Sequence, residues 1–196
     1  PDYMADPISD SNINSWKDIG AAGGTYSGNY NVGSAGATLG PKKIVGNLNV
    51  TGGATLTLTG PLWVTGNIVL DGGSHIILSS SFGTNDGYIV TDGTLSVTGG
   101  SNATGSGSAG SYILIVVLSS STTAAAQIEG GSGAMVVYAP NGTLNLEGGA
   151  SLKEATAYKV HIEGGSTLTY ETGLANLNFS TGPSGSYTIS SWKETE

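Results

Sequence analysis

The chain has 196 residues and a formal net charge of −8, and glycine, serine and threonine together make up 80 of its residues. Its six basic residues are all lysines, and this lack of arginine argues against binding to nucleic acids or to anionic membrane surfaces. It has no cysteine, which excludes a disulfide framework, a zinc-thiolate site and a cysteine nucleophile.

The N-terminal segment predicts a short helix. Ser9 is a favourable N-cap, and Gly20 is a stop signal about three turns later. Ile8 and Ile13 take the two positions of a hydrophobic staple, and Trp16 projects from the same face as Ile13. We therefore expect this helix to cover the open end of the structure that follows it.

Six Gly-Gly pairs beyond residue 50 divide most of the remaining chain into short segments. They lie at Gly52-Gly53, Gly72-Gly73, Gly99-Gly100, Gly130-Gly131, Gly148-Gly149 and Gly164-Gly165. Most pairs follow a segment in which Leu, Ile or Val alternates with Thr, Ser, Asn or another polar residue, which is the period of a β-strand. The shortest intervals are too short for a βαβ unit. The repeat therefore predicts a single-stranded parallel β-helix, or β-solenoid, in preference to an antiparallel sandwich.

Alignment of the segments on the glycine pairs predicts two columns of inward side chains. The first holds Leu56, Ile76, Leu95, Leu144 and Leu168, and the second holds Leu58, Leu78, Val97, Leu146 and Tyr170. The low-complexity segment 99–111 predicts a flexible surface loop. The apolar run Tyr112 to Leu118 predicts a strand that is buried on both faces or covered by another element.

Two regions follow from these patterns. Residues 1–20 are predicted to be an N-terminal helical cap, and residues 21–196 a β-solenoid domain. The closing stretch, Ser186 to Glu196, predicts a last strand with an aromatic plug. No signal peptide and no apolar stretch long enough to span a bilayer is present, and because the first residue is Pro1 we expect a processed or truncated piece.

Parallel β-helices include polysaccharide lyases and hydrolases, so an enzymatic site has to be considered. A pectate-lyase-like site needs clustered carboxylates and usually an arginine base, whereas here the acids are scattered. Glu147 and Glu171 fall in one aligned column and are the best candidates for a glycosidase pair. Tyr138 and Tyr170 would line the groove of such a site. We favour the interpretation that both glutamates are solvated residues at the ends of strands.

Other candidate sites are equally sparse. His75 and His161 lie at alternating strand positions without a catalytic partner motif, and we expect both to face the surface. The sequence Asn85-Asp86-Gly87, with Asp92, lacks the spacing of a calcium loop and predicts a turn. The four N-glycosylation sequons, at Asn49, Asn102, Asn141 and Asn178, are expected by chance in such a composition.

Threonine-rich strands raise the possibility of ice binding, which uses flat Thr-x-Thr arrays. The best segments are Thr55 to Thr59 and Thr167 to Thr169. The aligned outward columns read Thr57, Ile77, Ser96, Asn145, Thr169 and then Thr59, Ser79, Thr98, Glu147, Glu171. Glutamate interrupts the second column, so threonine here is better explained by its strand propensity.

Two terminal phrases carry a resemblance to a known family. Pro7-Ile8-Ser9-Asp10 before Trp16-Lys17, and the closing Ser190-Ser191-Trp192-Lys193-Glu194, flank the glycine-rich core. In this arrangement the chain resembles the exported part of bacterial PilX-type pilus-assembly and pilin-like surface proteins, although their hydrophobic pilin helix is missing. Segments such as Val64 to Ile68 also resemble bactofilins, which are cytoskeletal β-solenoids. The first resemblance implies a cell-surface, non-enzymatic role in a type IV pilus or related filament.

The resulting hypothesis is an extracellular structural or adhesive component of a bacterial surface filament, without enzymatic activity. We expect no catalytic, cofactor-binding or metal-binding residues. The expected partners are other filament subunits or surface ligands, including carbohydrate, with no nucleic acid and no membrane contact. A carbohydrate-active or carbohydrate-binding β-helix is the first alternative, and an ice-binding solenoid is the second.

Overall fold

The structure, a computed structural model, describes residues 7–131, 133 and 135–169. In this part of the chain, helix α1 spans Asp10–Ala22, a 3-10 helix spans Ser80–Phe82, and all paired strands are parallel. The strands are β1 (Thr25–Ser27), β2 (Tyr30–Val32), β3 (Ala37–Leu39), β4 (Lys42–Val45), β5 (Leu48–Thr51), β6 (Thr55–Leu58), β7 (Leu62–Val64), β8 (Ile68–Asp71), β9 (His75–Leu78), β10 (Gly87–Thr91), β11 (Leu95–Val97), β12 (Asn102–Thr104), β13 (Ile113–Val117), β14 (Ala126–Gly131), β15 (Met135–Leu152), β16 (Glu154–Ile162) and β17 (Thr167–Leu168). The prediction of an all-β, parallel fold with one short helix is confirmed.

The strands pair in steps of three along the chain. We call β1-β4-β7-β10-β13 the first face, β2-β5-β8-β11-β14 the second face and β3-β6-β9-β12 the third face. The long strand β15 pairs with β13 and β14, so it extends the first face and then the second. Three consecutive strands form a level, and the first level is β1 to β3.

The inward side chains of the three faces meet in one core. On the second face the in-register positions are Leu48, Ile68, Leu95, Ala126 and Leu144. On the third face they are Leu56, Ile76 and Ala103. The predicted column that joined Leu56 and Ile76 to Leu95 and Leu144 is therefore wrong. The strands on the two sides of a glycine pair show the same alternation of apolar and polar residues. They belong to different faces, however, because the pair forms the corner between them.

The glycine pairs form the corners between the second and third faces. Gly52 and Gly53 have φ values of 66° and 75°, and the later pairs repeat this geometry. Glycine adopts such positive φ angles at no steric cost. The prediction that the pairs supply tight corners is confirmed.

A column of asparagines connects the levels at the corner between the first and second faces. The side-chain Oδ1 of Asn29 accepts a hydrogen bond from the N–H of Asn47 at 2.9 Å, and Oδ1 of Asn47 accepts one from the N–H of Asn67 at 2.8 Å. Oδ1 of Asn67 in turn accepts from the N–H of Thr94 at 2.9 Å. Each side chain thus satisfies a backbone donor of the next level, which fixes the register between levels.

Helix α1 begins where the sequence predicts but lies elsewhere than expected. Ser9 is the N-cap, and its Oγ accepts from the N–H of Asn12 at 3.3 Å. The helix continues past Gly20 to Ala22, because Gly20 packs closely on the first face: a Cβ there would lie 3.2 Å from the backbone N of Trp63. The helix therefore lies along the first face and does not cover the first level.

The apolar outer side of the first face explains this position. The helix and its N-terminal approach contribute Ile8, Ile13 and Trp16 to a second buried cluster. The sheet contributes Tyr88, Val90, Leu114, Val116, Val136 and Tyr138. Every residue of β10 and β13 is buried, so the prediction that the run Tyr112 to Leu118 is covered by another element is confirmed. These side chains offer the helix far more apolar surface than the three short strands of the first level.

The predicted flexible loop at 99–111 is wrong in part. Strand β12 lies within it and places Ala103 in the core. After β12, the Ser106 hydroxyl donates to the carbonyl of Gly83, and the Ser111 hydroxyl donates to the carbonyl of Asn85 at 2.8 Å. The glycine- and serine-rich composition concealed a strand whose inward residue is a small alanine. The predicted last strand at 186–196 lies outside the described residues, as do Tyr170 and Glu171.

Candidate functional site

Glu147, one of the two candidate carbohydrate-cleaving residues, lies in a column of glutamates at the glycine-pair corner. Glu129 and Glu147 are in register on β14 and β15, and Glu163 follows the in-register pair Leu146 and Ile162. Successive strands place the backbones of these residues about 5 Å apart. Glu129 is exposed, and its Oε1 accepts from Gln127 Nε2 at 3.1 Å. The carboxylates therefore share a solvated edge, and Glu171, the predicted partner of Glu147, lies outside the described residues.

The predicted aromatic wall of a carbohydrate groove is not formed by Tyr138. Only 1% of Tyr138 is exposed, and its hydroxyl donates to the carbonyl of Ile8 at 3.3 Å. The side chain belongs to the outer side of the first face, beneath the N-terminal approach to α1. This prediction is wrong because a strand pattern does not show which outward faces another element covers.

The two histidines lie on different faces. His75, on the third face, has Nδ1 2.9 Å from Oδ1 of Asn102, which is its in-register neighbour. His161, on the second-face part of β16, is exposed and has Nε2 3.7 Å from Glu163. Within the ranges described above, no group of three or more His, Asp or Glu side chains is placed to hold a metal ion.

The acids near the predicted turn have structural partners. Asp86 is 2% exposed, and its Oδ1 accepts from the N–H of Tyr112 at 2.6 Å. Asp92 accepts from Trp63 Nε1 at 2.9 Å and forms an ion pair with Lys17 at 2.6 Å. Asp86 therefore anchors the segment before β13, and Asp92 anchors α1 to the first face.

Lysines surround the C-terminal end of α1, an arrangement that the sequence reasoning missed. Lys42 Nζ donates to the carbonyl of Gly23 at 2.8 Å, and Lys43 Nζ lies 3.6 Å from the centre of the Trp63 ring. A cation at a helix C-terminus and a cation over an indole are both favourable. The two consecutive lysines were the sequence signal for this arrangement, but the residues that they contact lie far from them in the sequence.

The threonines of the third face do not form an unbroken array. One outward column holds Thr38, Thr57, Ile77 and Thr104, and the other holds Thr55, His75 and Asn102. Ser96 and Asn145, which the sequence analysis placed in line with Thr57 and Ile77, lie on the second face instead. The isoleucine and the histidine interrupt both columns at the third level.

The second face carries stacked amide side chains. Asn49 Nδ2 donates to Asn31 Oδ1 at 2.7 Å, and Asn145 Nδ2 donates to Gln127 Oε1 at 2.9 Å. Val69 and Ser96 stand between these two pairs. This face therefore presents neutral hydrogen-bonding groups to solvent.

Among the described strands, the first level is an open sheet edge. Strands β1, β2 and β3 are the terminal strands of the three faces, and every residue of β1 is exposed. Tyr26 is 42% exposed and meets Tyr30 edge to face, with 5.0 Å between ring centres. The sequence from Gly24 to Pro41 contains no charged residue. This edge was not predicted from the sequence, because α1 was expected to cover it.

In the last described level, Val160 and Ile162 are in register with the core residues Leu144 and Leu146. Strands β16 and β17 carry four of the exposed large hydrophobic residues: Tyr158, Val160, Ile162 and Leu168. Tyr158 is 77% exposed.

No protein-family model, curated protein or solved structure matches this chain. Helix α1 is too short to cross a membrane, and the described residues contain no other candidate helix.

Proposed function

We propose that the chain is a β-solenoid with a non-enzymatic structural or adhesive role in an extracellular bacterial filament, such as a type IV pilus. One observation carries this proposal: strands pair in parallel at steps of three along the chain. Such pairing is what a coil of stacked levels requires. A coil of this kind is a stiff rod, and a rod suits a load-bearing or spacing role better than an enclosed catalytic site.

The bonds between levels support the mechanical part of the proposal. The asparagine column joins Asn29, Asn47 and Asn67 across three levels, and the helix is fixed to the first face by the Lys17–Asp92 ion pair. An extending force along the coil would act on many backbone hydrogen bonds at once. The neutral amides on the second face would limit nonspecific ionic contacts.

The filament setting rests on the resemblance to pilin-like surface proteins, and it has a direct test. An antibody raised against the purified chain would be applied, with gold label, to intact cells of the source bacterium and to cells lacking the gene. We expect label on surface filaments of wild-type cells and none on the deletion strain. Label confined to the interior of sectioned cells would contradict the proposal.

A carbohydrate-binding role is the second candidate, and the amide columns of the second face favour it. Asn31, Asn49, Gln127 and Asn145 offer neutral donors and acceptors on the second face. Binding would be measured on insoluble and soluble polysaccharides with Asn49→Ala and Asn145→Ala variants. Glu147→Gln serves as the enzymatic control, because polysaccharide turnover abolished by that change would contradict a structural role.

A further inference from the structure

We propose that the inward side of β16 and β17 is a docking surface for residues 170–196 of the same chain, with Leu177 and Phe179 placed over Val160 and Ile162. The docking does not depend on the filament role proposed above. Three observations support it: the exposure of core positions in β16 and β17, the direction of the backbone groups of β16, and the sequence that follows Thr169.

The first observation is that core positions in the last described level are exposed. Three side chains of β16 and β17 are each in register with a buried residue of β15: Val160 with Leu144, Ile162 with Leu146 and Leu168 with Leu152. The β15 members are 0% exposed, whereas their neighbours are 39%, 46% and 39% exposed, in the same order. The described residues therefore leave this side of the core open, and burial of its apolar surface would be favourable.

The second observation is the direction of the backbone groups of β16. The N–H of Glu163 donates to the carbonyl of Leu146 at 2.9 Å. Because alternate residues of a parallel strand bond to opposite neighbours, the backbone groups of Val160 and Ile162 point away from β15. They point to the place of a next strand, which no described strand occupies. The same two residues thus offer an apolar surface and hydrogen-bonding groups together.

The third observation is a sequence pattern that recurs after Thr169. It consists of an asparagine, a large apolar residue, a second asparagine and another apolar residue, and it occurs at Asn29 to Val32, Asn47 to Val50 and Asn176 to Phe179. The first two copies contain the second-face strands β2 and β5, whose apolar residues pack in the core. The third copy therefore predicts a second-face strand with Leu177 and Phe179 inward.

The spacing of the third copy fits one further level. Ala126, Leu144 and Val160 follow one another in register on the second face. The interval from Val160 to Leu177 is one residue longer than that from Leu144 to Val160, and one residue shorter than that from Ala126 to Leu144. The segment also begins directly after β17, so its covalent link gives it a high effective concentration at this surface. Spacing and continuity together select residues 170–196 over a second copy of the chain.

Pairs of introduced cysteines test the register, since the chain has no cysteine of its own. The docking places Asn178 opposite the exposed His161, with about 4.8 Å between their Cα atoms, which a disulfide can span. The double variant His161→Cys/Asn178→Cys should therefore oxidise within one chain. His161→Cys/Ser180→Cys is the control, because a shift of two residues separates the Cα atoms by about 8 Å, beyond that reach. Non-reducing gels and mass spectrometry of the linked peptides measure both products, and melting of the reduced samples checks their folding.

Hydrogen exchange of the whole chain, followed by mass spectrometry, is a second test. The amides of Val160 and Ile162 should be protected in the wild type. Phe179→Asp should raise their exchange rate by about tenfold or more, because a carboxylate is costly to bury against Ile162. Asn178→Asp, at the neighbouring outward position, should leave these amides protected.

Unprotected amides at Val160 and Ile162 in the wild type would overturn the inference, and so would equal effects of Phe179→Asp and Asn178→Asp. Disulfides that form equally in both cysteine pairs, or in neither, would also overturn it. Disulfides that form chiefly between chains would overturn it as well, since they would make a second copy the occupant of this surface.

Discussion

Replacement of Trp16 with alanine tests how α1 is held on the first face. Trp16 is 3% exposed, and its ring stacks on Tyr88 with 4.9 Å between ring centres and 29° between planes. It lies at the centre of the apolar cluster that joins the helix to β10, β13 and β15. The other buried residues of α1 are Ile13 and Gly20, so Trp16 is the largest buried side chain of the helix.

The expected cost is large for a single helix. Truncation of a buried tryptophan to alanine typically costs about 3–5 kcal/mol, a range that covers lost transfer energy and the cavity left behind. A 13-residue helix is marginal without its tertiary contacts. We therefore expect α1 to detach in Trp16→Ala while the core between the three faces stays folded. Detachment would expose Leu114 and Val116, which the helix covers.

Native-state hydrogen exchange with mass spectrometry is the appropriate assay, because it separates the helix from the strands. In Trp16→Ala, the amides of α1 should lose protection by at least about a hundredfold, since 1.4 kcal/mol corresponds to a factor of ten. Dye binding to the newly exposed apolar surface should rise in parallel. Asn14→Ala, at an exposed position of the same helix, should behave like the wild type. Trp16→Phe should fall between the two.

Unchanged protection of α1 in Trp16→Ala would refute the reasoning, because it would mean that the helix is held by something other than this cluster. Equal loss of protection in α1 and in the inward strands would refute it differently. That result would show that the helix and the core unfold as one cooperative unit.

Three further predictions concern the C-cap of α1, the column of glutamates and the column of asparagines. Gly23→Ala should lower the free energy of unfolding by more than about 2 kcal/mol in a denaturant titration, because the new Cβ would lie 2.0 Å from the carbonyl oxygen of Pro41. Gly33→Ala is the control, because nothing lies within 4 Å of a Cβ at that position. It should change the free energy of unfolding by less than about 0.5 kcal/mol in the same titration. Glu147→Gln should raise the melting temperature at low ionic strength and lose this effect in high salt, because it removes repulsion within the glutamate column; a salt-independent change would point to another cause. Asn67→Ala should lower the free energy of unfolding, measured by thermal denaturation, by about 1–2 kcal/mol, because the N–H of Thr94 loses its acceptor. Asn67→Asp keeps an acceptor oxygen at this position and should therefore restore most of the lost stability.

The sequence predicts the parallel all-β class, the glycine corners and the start of the helix, because each depends on local chemistry. A Gly-Gly pair after alternating residues requires a corner wherever it occurs, and Ser9 can cap a helix in any context. The burial of β13 was likewise predictable from an apolar run without alternation. These features need no knowledge of what lies across the molecule.

The assignment of strands to faces and the position of the helix required the structure. Leu56 and Leu95 have the same local pattern, and only the pairing shows that they line different faces. Trp16 was expected to face the first level, but the larger apolar surface lay on β10 and β13. The partners of Asp92 are equally nonlocal, since Lys17 and Trp63 are far from it in the sequence. The open first level was invisible for the same reason.

The three corners of each level differ in how they tolerate extra length. Between the second and third faces, from β5 to β17, the connection always contains a glycine pair, and the structure adds no long insertion there. Extra residues enter at the other two corners: 79–86 before β10, 105–112 before β13 and 118–125 before β14. One corner thus sets the pitch of the chain while the other two accept variable loops. A protein engineer who wished to display a foreign peptide would therefore insert it at those two corners, where the fold already accommodates length changes without loss of register.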